Sequence, residues 1–236
     1  MTKAPRITTY NEQPLHAALK AWYAGPEDRL EVPVDGYVID VVREDRLIEI
    51  QTANFSSIKS KLWALTEKHC VLLVYPLPKE KWLVKRWNLE DPDSKTERRK
   101  SPKHGKPHEI FEELVSFPDL ISRDNFEIEI AWTREEELRH RDKRRGWRRH
   151  GWVVDERRLI DVIGQQRFEK PSDFASLLPA TVGDNFTTKD LSAATARGRR
   201  FGGQMAYCLR KMGLIERIGK RGRAYLYARS ASFKHE

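Results

Sequence analysis

The chain has 236 residues, 39% hydrophobic and 33% charged, with 44 Lys and Arg against 35 Asp and Glu for a formal charge of +9. That composition excludes a disordered chain, and no apolar run reaches the roughly 20 residues of a membrane span. Met1 to Pro5 lacks the apolar stretch of a secretory signal, so a cytoplasmic protein attracted to polyanions is expected, with no membrane association.

The N-terminal segment from Asn11 to Trp22 reads as an amphipathic helix, with Leu15, Leu19 and Trp22 on one stripe, Asn11 as its cap and Pro14 in its first turn. Asp35 before Gly36 reads as a turn residue. Tyr37–Arg43 and Arg46–Gln51 then form an antiparallel hairpin about Glu44 and Asp45. With those two residues at the turn centre, Val41 faces Ile48, Val42 faces Leu47, and Asp40 stands opposite Glu49. Two carboxylates facing each other across a ladder destabilise it unless positive charge lies between them. Gln51 projects from the same face as Glu49, while Ile48 and Ile50 project into a core. The simplest filling for such a pair is a hard divalent cation, Mg²⁺ or Mn²⁺, of the kind used in phosphodiester chemistry. The solvated face of an amphipathic sheet is the alternative reading of the same three residues.

Phe55, Ile58, Leu62 and Leu65 recur at helical spacing and predict a helix over 55–68. Lys59 and Lys61 lie on it, either restoring positive charge at the acidic pair or belonging to a solvated face. Cys70–Tyr75 is an apolar run ended by Pro76, the pattern of a strand buried on both faces, so residues 47–75 make a right-handed βαβ unit. The polar, Pro- and Gly-broken stretch 90–107 reads as an exposed loop, 109–115 as a short helix, and 126–132 as an outer strand. Residues 139–152 are the densest positive stretch and read as a linker or hairpin between domains. There Arg144, Arg145, Arg148 and Arg149 suit phosphates, while Trp147 and Trp152 either stack on unpaired bases or anchor the junction. Cys70 and Cys208, with no CxxC or clustered His, carry no zinc signature and read as buried thiols.

Asp40, a short hairpin, then Glu49-x-Gln51 in an apolar strand resembles the core of the PD-(D/E)xK nuclease superfamily, in its variant with Gln in place of Lys. The Pro of the family name is absent, Ile39 standing before Asp40. The order of helix, antiparallel meander, crossover helix and parallel strand agrees with that core. The resemblance implies that Asp40 and Glu49 hold the metal and that Gln51 orients the attacking water. It also implies that Glu12 is a further metal-facing acid, although an acid in any first helical turn is favoured by the dipole alone. The superfamily's usual Lys is a cation, and a neutral amide at Gln51 cannot replace its charge.

Residues 172–178, 188–195 and 200–212 read as three short helices, followed by two strands joined at Gly219-Lys220-Arg221-Gly222. This arrangement, with Met212-Gly213-Leu214-Ile215 closing the third helix, resembles a winged helix-turn-helix domain. The resemblance implies a third helix in the major groove and a wing along the backbone, with Arg197, Arg199, Arg200, Lys220, Arg221 and Arg223 as contacts. Winged helices also serve as protein-docking modules.

The expected architecture is therefore α/β: a PD-(D/E)xK-type mixed sheet flanked by helices over 1–135, a basic linker or hairpin over 136–164, and a winged helix over 165–236. The leading expectation is a metal-dependent DNA endonuclease that acts as a homodimer for double-strand cutting. Its rivals are a catalytically decayed DNA-binding regulator and a nuclease-like subunit that docks a protein partner in a transposition or phage-defence assembly.

Overall fold

The structure, a computed structural model, describes residues 13–87, 94–142, 144 and 150–230. The first helix, α1 (Pro14–Tyr23), opens with Pro at its first position and buries Leu15, Leu19 and Tyr23. Trp22, expected on that stripe, is 46% exposed; the i, i+4, i+8 row from Leu15 ends on Tyr23 instead.

Strands β1 (Arg29–Val34), β2 (Tyr37–Arg43) and β3 (Arg46–Ile50) form an antiparallel meander. Its first turn is Asp35-Gly36, both at positive φ, which matches the right-handed twist of the flanking strands. Its second turn is Glu44-Asp45, and the pairing is Val41 with Ile48 and Val42 with Leu47, as the hairpin reading requires. A 3₁₀ turn, Phe55–Ile58, leads into α2 (Lys59–Leu65), and β4 (Cys70–Arg86) then pairs parallel to β3. The predicted helix over 55–68 is therefore shorter than its apolar spacing suggested.

Pro76 does not end β4. The strand runs through Pro76 and Pro78 while pairing parallel to β6 (Phe126–Arg141). Val74 O accepts from Gln51 N, so the same edge at Pro76 and Pro78 faces the space beyond the end of β3, where a missing N–H removes no ladder bond. Part of the stretch read as a loop is β5 (Thr96–Lys100), which pairs with the far half of β4. Residues 136–164 are largely a β-hairpin: β6 pairs antiparallel with β7 (Trp152–Phe168). The charges of this hairpin pair within the sheet: Arg157 of β7 with Glu135 of β6, and Glu137 and Glu136 of β6 with Lys81 of β4 and Arg98 of β5. The seven-stranded mixed sheet has the order β1-β2-β3-β4-β6-β7, with β5 on β4.

One face of the sheet packs α1 against Val41, Ile48, Ile50 and Leu72. The other carries α2, α3 (Phe111–Leu114) and the C-terminal elements. A 3₁₀ segment, Pro171–Leu177, takes the place of the first predicted C-terminal helix. After it come β8 (Asn185–Phe186), α4 (Thr188–Thr195), α5 (Arg199–Lys211), β9 (Ile215–Arg221) and β10 (Ala224–Arg229). The last three strands form their own sheet in the order β8-β10-β9. The C-terminal part is not tethered by a linker. Phe174 stacks on Phe168 of β7 at 4.3 Å and lies 6.1 Å from Phe111, so one apolar cluster runs through both halves. Cys208 is buried in that cluster, whereas Cys70, at the first position of β4, is exposed and not the core thiol expected. No helix among the described residues is long and apolar enough to cross a membrane.

Candidate functional site

The β2–β3 ladder stops at Val41 and Ile48, one residue short of the acidic pair. Beyond it the Asp40 side chain takes over the pairing: Asp40 Oδ2 accepts from Ile50 N at 2.8 Å. The two strands thus part where Asp40 and Glu49 stand, which makes room between carboxylates that a continuous ladder would press together.

Two basic side chains reach this pair. His16 of α1 brings Nε2 to 3.2 Å from Asp40 Oδ2. Lys61 of α2 brings Nζ to 2.5 Å from Glu49 Oε1, and donates to Val38 O at 2.6 Å. The ion pair is close but poorly directed, because Glu49 Oε1 is buried and has no hydrogen-bond partner of good geometry. Burial pushes the Glu49 carboxyl up to about 7, the Lys61 charge opposing and the Asp40 charge adding to the rise. For Asp40, burial is again the largest influence and acts upward. It is outweighed by the hydrogen bond and charge of His16, the Ile50 N–H and the Lys61 charge, so Asp40 lies below the usual carboxylate range. The two carboxyls thus shift in opposite net directions, Glu49 raised and Asp40 lowered.

Of the predicted site residues, Asp40 and Glu49 are brought together. Gln51 follows on β3 with its backbone N–H on Val74 O, but its side-chain Nε2 is held by Ala53 O and Asn54 O, within its own turn. Glu12 lies outside the described residues. Sequence reading left Lys61 undecided and missed His16 altogether. The apolar row of α1 gives no sign that its flank, at His16, lies over Asp40.

Two neighbouring carboxylates belong to the donor set of Mg²⁺ or Mn²⁺, which takes one or two carboxylates with the remainder from water or phosphate, and here Lys61 occupies Glu49 Oε1. Among the described residues no group of three or more His, Cys, Asp or Glu is disposed to hold a metal ion.

The predicted polyanion contacts divide. Arg199, Arg200, Lys220, Arg221 and Arg223 are exposed. Arg197 instead turns inward, pairing with Glu109 and Glu112 and lying over the Phe201 ring. Arg210 and Tyr207, not singled out in the sequence, share the exposed stripe of α5. Arg144 is exposed, and Arg145, Trp147, Arg148 and Arg149 lie outside the described residues.

These features define a mixed α/β protein with a large mixed sheet flanked by helices and a buried, cation-compensated carboxylate pair at one strand end. The chain belongs to the family described as Domain of unknown function (DUF8091), whose model matches residues 13–169, a span closing one residue past β7. It is also similar to an uncharacterized protein of Treponema pallidum (strain Nichols), with 29% identity over 222 residues, covering 94% of this chain and 86% of that protein. No solved structure matches.

Proposed function

We propose that the protein is a metal-dependent nuclease of PD-(D/E)xK type, carrying a C-terminal winged helix that contacts DNA. The observation that carries this is the buried Asp40–Glu49 pair at the point where β2 and β3 part, in a meander followed by a crossover helix and a parallel strand. The helix α5 followed by the β9–β10 hairpin supports the second half of the reading.

A bound Mg²⁺ or Mn²⁺ would supply Lewis-acid polarisation of the scissile phosphate. Asp40 and Glu49 are the residues that would hold it. Asp40, ionised and fixed by Ile50 N–H, needs no rearrangement to present a charge. Lys61 reaches Glu49 from α2, and so provides at this centre the positive charge that Gln51 lacks. The Gln51 amide is held within its own turn by Ala53 O and Asn54 O.

The engagement of Asp40 by His16 and of Glu49 by Lys61 also favours a second reading, in which the centre has decayed and the protein binds DNA without cutting it. Incubation of the wild type and Asp40→Ala with mixed DNA substrates in Mg²⁺ or Mn²⁺ separates the two. Metal-dependent cleavage by the wild type, lost in Asp40→Ala with DNA affinity kept, is the expected result. Equal behaviour of the two proteins removes the nuclease reading.

A further inference from the structure

Beyond the end of β3 the sheet continues as an arm built from the far halves of β4, β6 and β7 with β5 on its edge. One face of that arm floors an open groove of about 1080 Å³ that starts at Thr52, three positions past Glu49, and also touches Ala196 and Arg197 before α5. Lys81, Arg139 and Arg157 line the floor, and Lys103 and Lys106 the rim. Lys81 and Arg139 pair with Glu137, Arg157 with Glu135, and Arg197 with Glu109 and Glu112, which leaves Lys103 and Lys106 as the groove cations outside these ion pairs.

The rim is held in place by a close backbone approach. Ser101 N donates to Lys81 O and Gly105 N to Pro78 O, so the segment 101–105 runs along the edge that β3 leaves open. A Cβ on Gly105 would stand 2.7 Å from Pro78 O and 2.8 Å from Leu77, so only glycine fits there. Lys103 and Lys106 project from this fixed rim, both exposed and with no carboxylate partner among the described residues.

Farther along the arm the groove face turns aromatic. Trp87 and Trp152 meet edge to face at 5.0 Å; Lys85 lies 5.0 Å over Trp152 and Lys95 5.5 Å over Trp87. Both tryptophans are only partly buried. Because Val154, one of the groove residues, and Trp152 lie two apart on β7, they project from one face of the strand. From Pro76 to Trp87 the strand path spans about 36 Å at roughly 3.3 Å per residue. A basic channel that leads to a stacking platform is the arrangement that holds an unpaired strand: cations take the phosphates, and an aromatic face takes a base of any sequence.

We infer that this groove is a track for single-stranded nucleic acid, its phosphates on the exposed rim cations Lys103 and Lys106 and its bases on Trp87 and Trp152. The strand would lead to the Asp40–Glu49 centre, so the track names the substrate form of the proposed nuclease, resting on that reading for its purpose but not for its existence.

The test measures binding of a fluorescent 12-nucleotide single strand and of the matching duplex by anisotropy across a salt series, in EDTA so that no cleavage occurs. Trp152→Ala should weaken single-strand binding by roughly 5-fold to 100-fold and leave duplex binding within about 2-fold. Lys103→Gln with Lys106→Gln, on an exposed rim that folding does not need, should make the single-strand slope of log K against log salt shallower by about 1.4. A triple Lys220→Ala, Arg221→Ala, Arg223→Ala variant should reduce duplex binding more than single-strand binding. Unchanged single-strand affinity and slope in the rim variant overturns the track, as does an equal loss of duplex and single-strand binding in Trp152→Ala. Single-strand binding that depends on these residues, in a protein that cleaves nothing with Mg²⁺, keeps the track and removes the nuclease reading.

Discussion

Replacing Glu49 by Gln should make the metal-free protein more stable, although it removes a proposed metal ligand. Glu49 is 5% exposed, and its carboxyl is pushed up to about 7 from an ordinary 4.5 by burial, with Asp40 adding to the rise. A folded-state value above the unfolded one means that the native protein binds the proton more tightly. Stability is then lost as pH rises from about 4.5 through about 7, and the loss is complete above that. At about 1.4 kcal/mol per pH unit between the two values, the ionised side chain destabilises the fold by about 3 kcal/mol at pH 8. Gln mimics the protonated form in shape and neutrality. Glu49→Gln should therefore match the wild type near pH 4.5 and exceed it by about 3 kcal/mol at pH 8, roughly 6 to 12 °C in Tm for a chain of this size. Urea or thermal unfolding of both proteins in EDTA across that pH range isolates the difference, since every other titrating group is common to them. Added Mg²⁺ should then raise the stability of the wild type and not of the variant, because only a ligand that binds the native state shifts the equilibrium. A variant no more stable than the wild type at pH 8, or a gap that does not change with pH, would refute the picture of a strained, buried carboxylate.

Phe174→Ala should lower stability by about 3 to 5 kcal/mol, because the ring is fully buried between Phe168 and Phe111. Denaturant unfolding followed by both fluorescence and circular dichroism should still give one transition, as the shared core requires; separate transitions for the two halves would contradict it. With a thiol-specific reagent in native buffer, Cys70 should react promptly. Cys208, buried and with its thiol pushed up to about 12, should react only after unfolding. Rapid labelling of both cysteines would count against the packing of α5.

Local chemistry wrote the near-site geometry into the sequence. Asp35-Gly36 and Glu44-Asp45 dictate two tight turns, and once the second is placed, the period of two sets Val41 against Ile48 and brings Asp40 and Glu49 to the strand end where the ladder stops. The apolar run after Cys70 likewise fixed a buried strand, and the capped helix α4 and amphipathic α5 were legible from their own residues. Tertiary structure decided the rest. Pro76 and Pro78 look like strand breakers until it is known that β3 ends beside them and leaves no bond to lose. The charged stretch around 136–164 reads equally as linker or hairpin until β6 and β7 pair and its Arg157 meets Glu135 across them. His16 and Lys61 reach the carboxylates from helices 24 and 12 positions away in sequence, on opposite faces of the sheet. Turns and alternation are short-range and can be read along the chain. The charge that compensates a buried pair comes from whichever helix packs over it, and only the assembled layers determine which one that is.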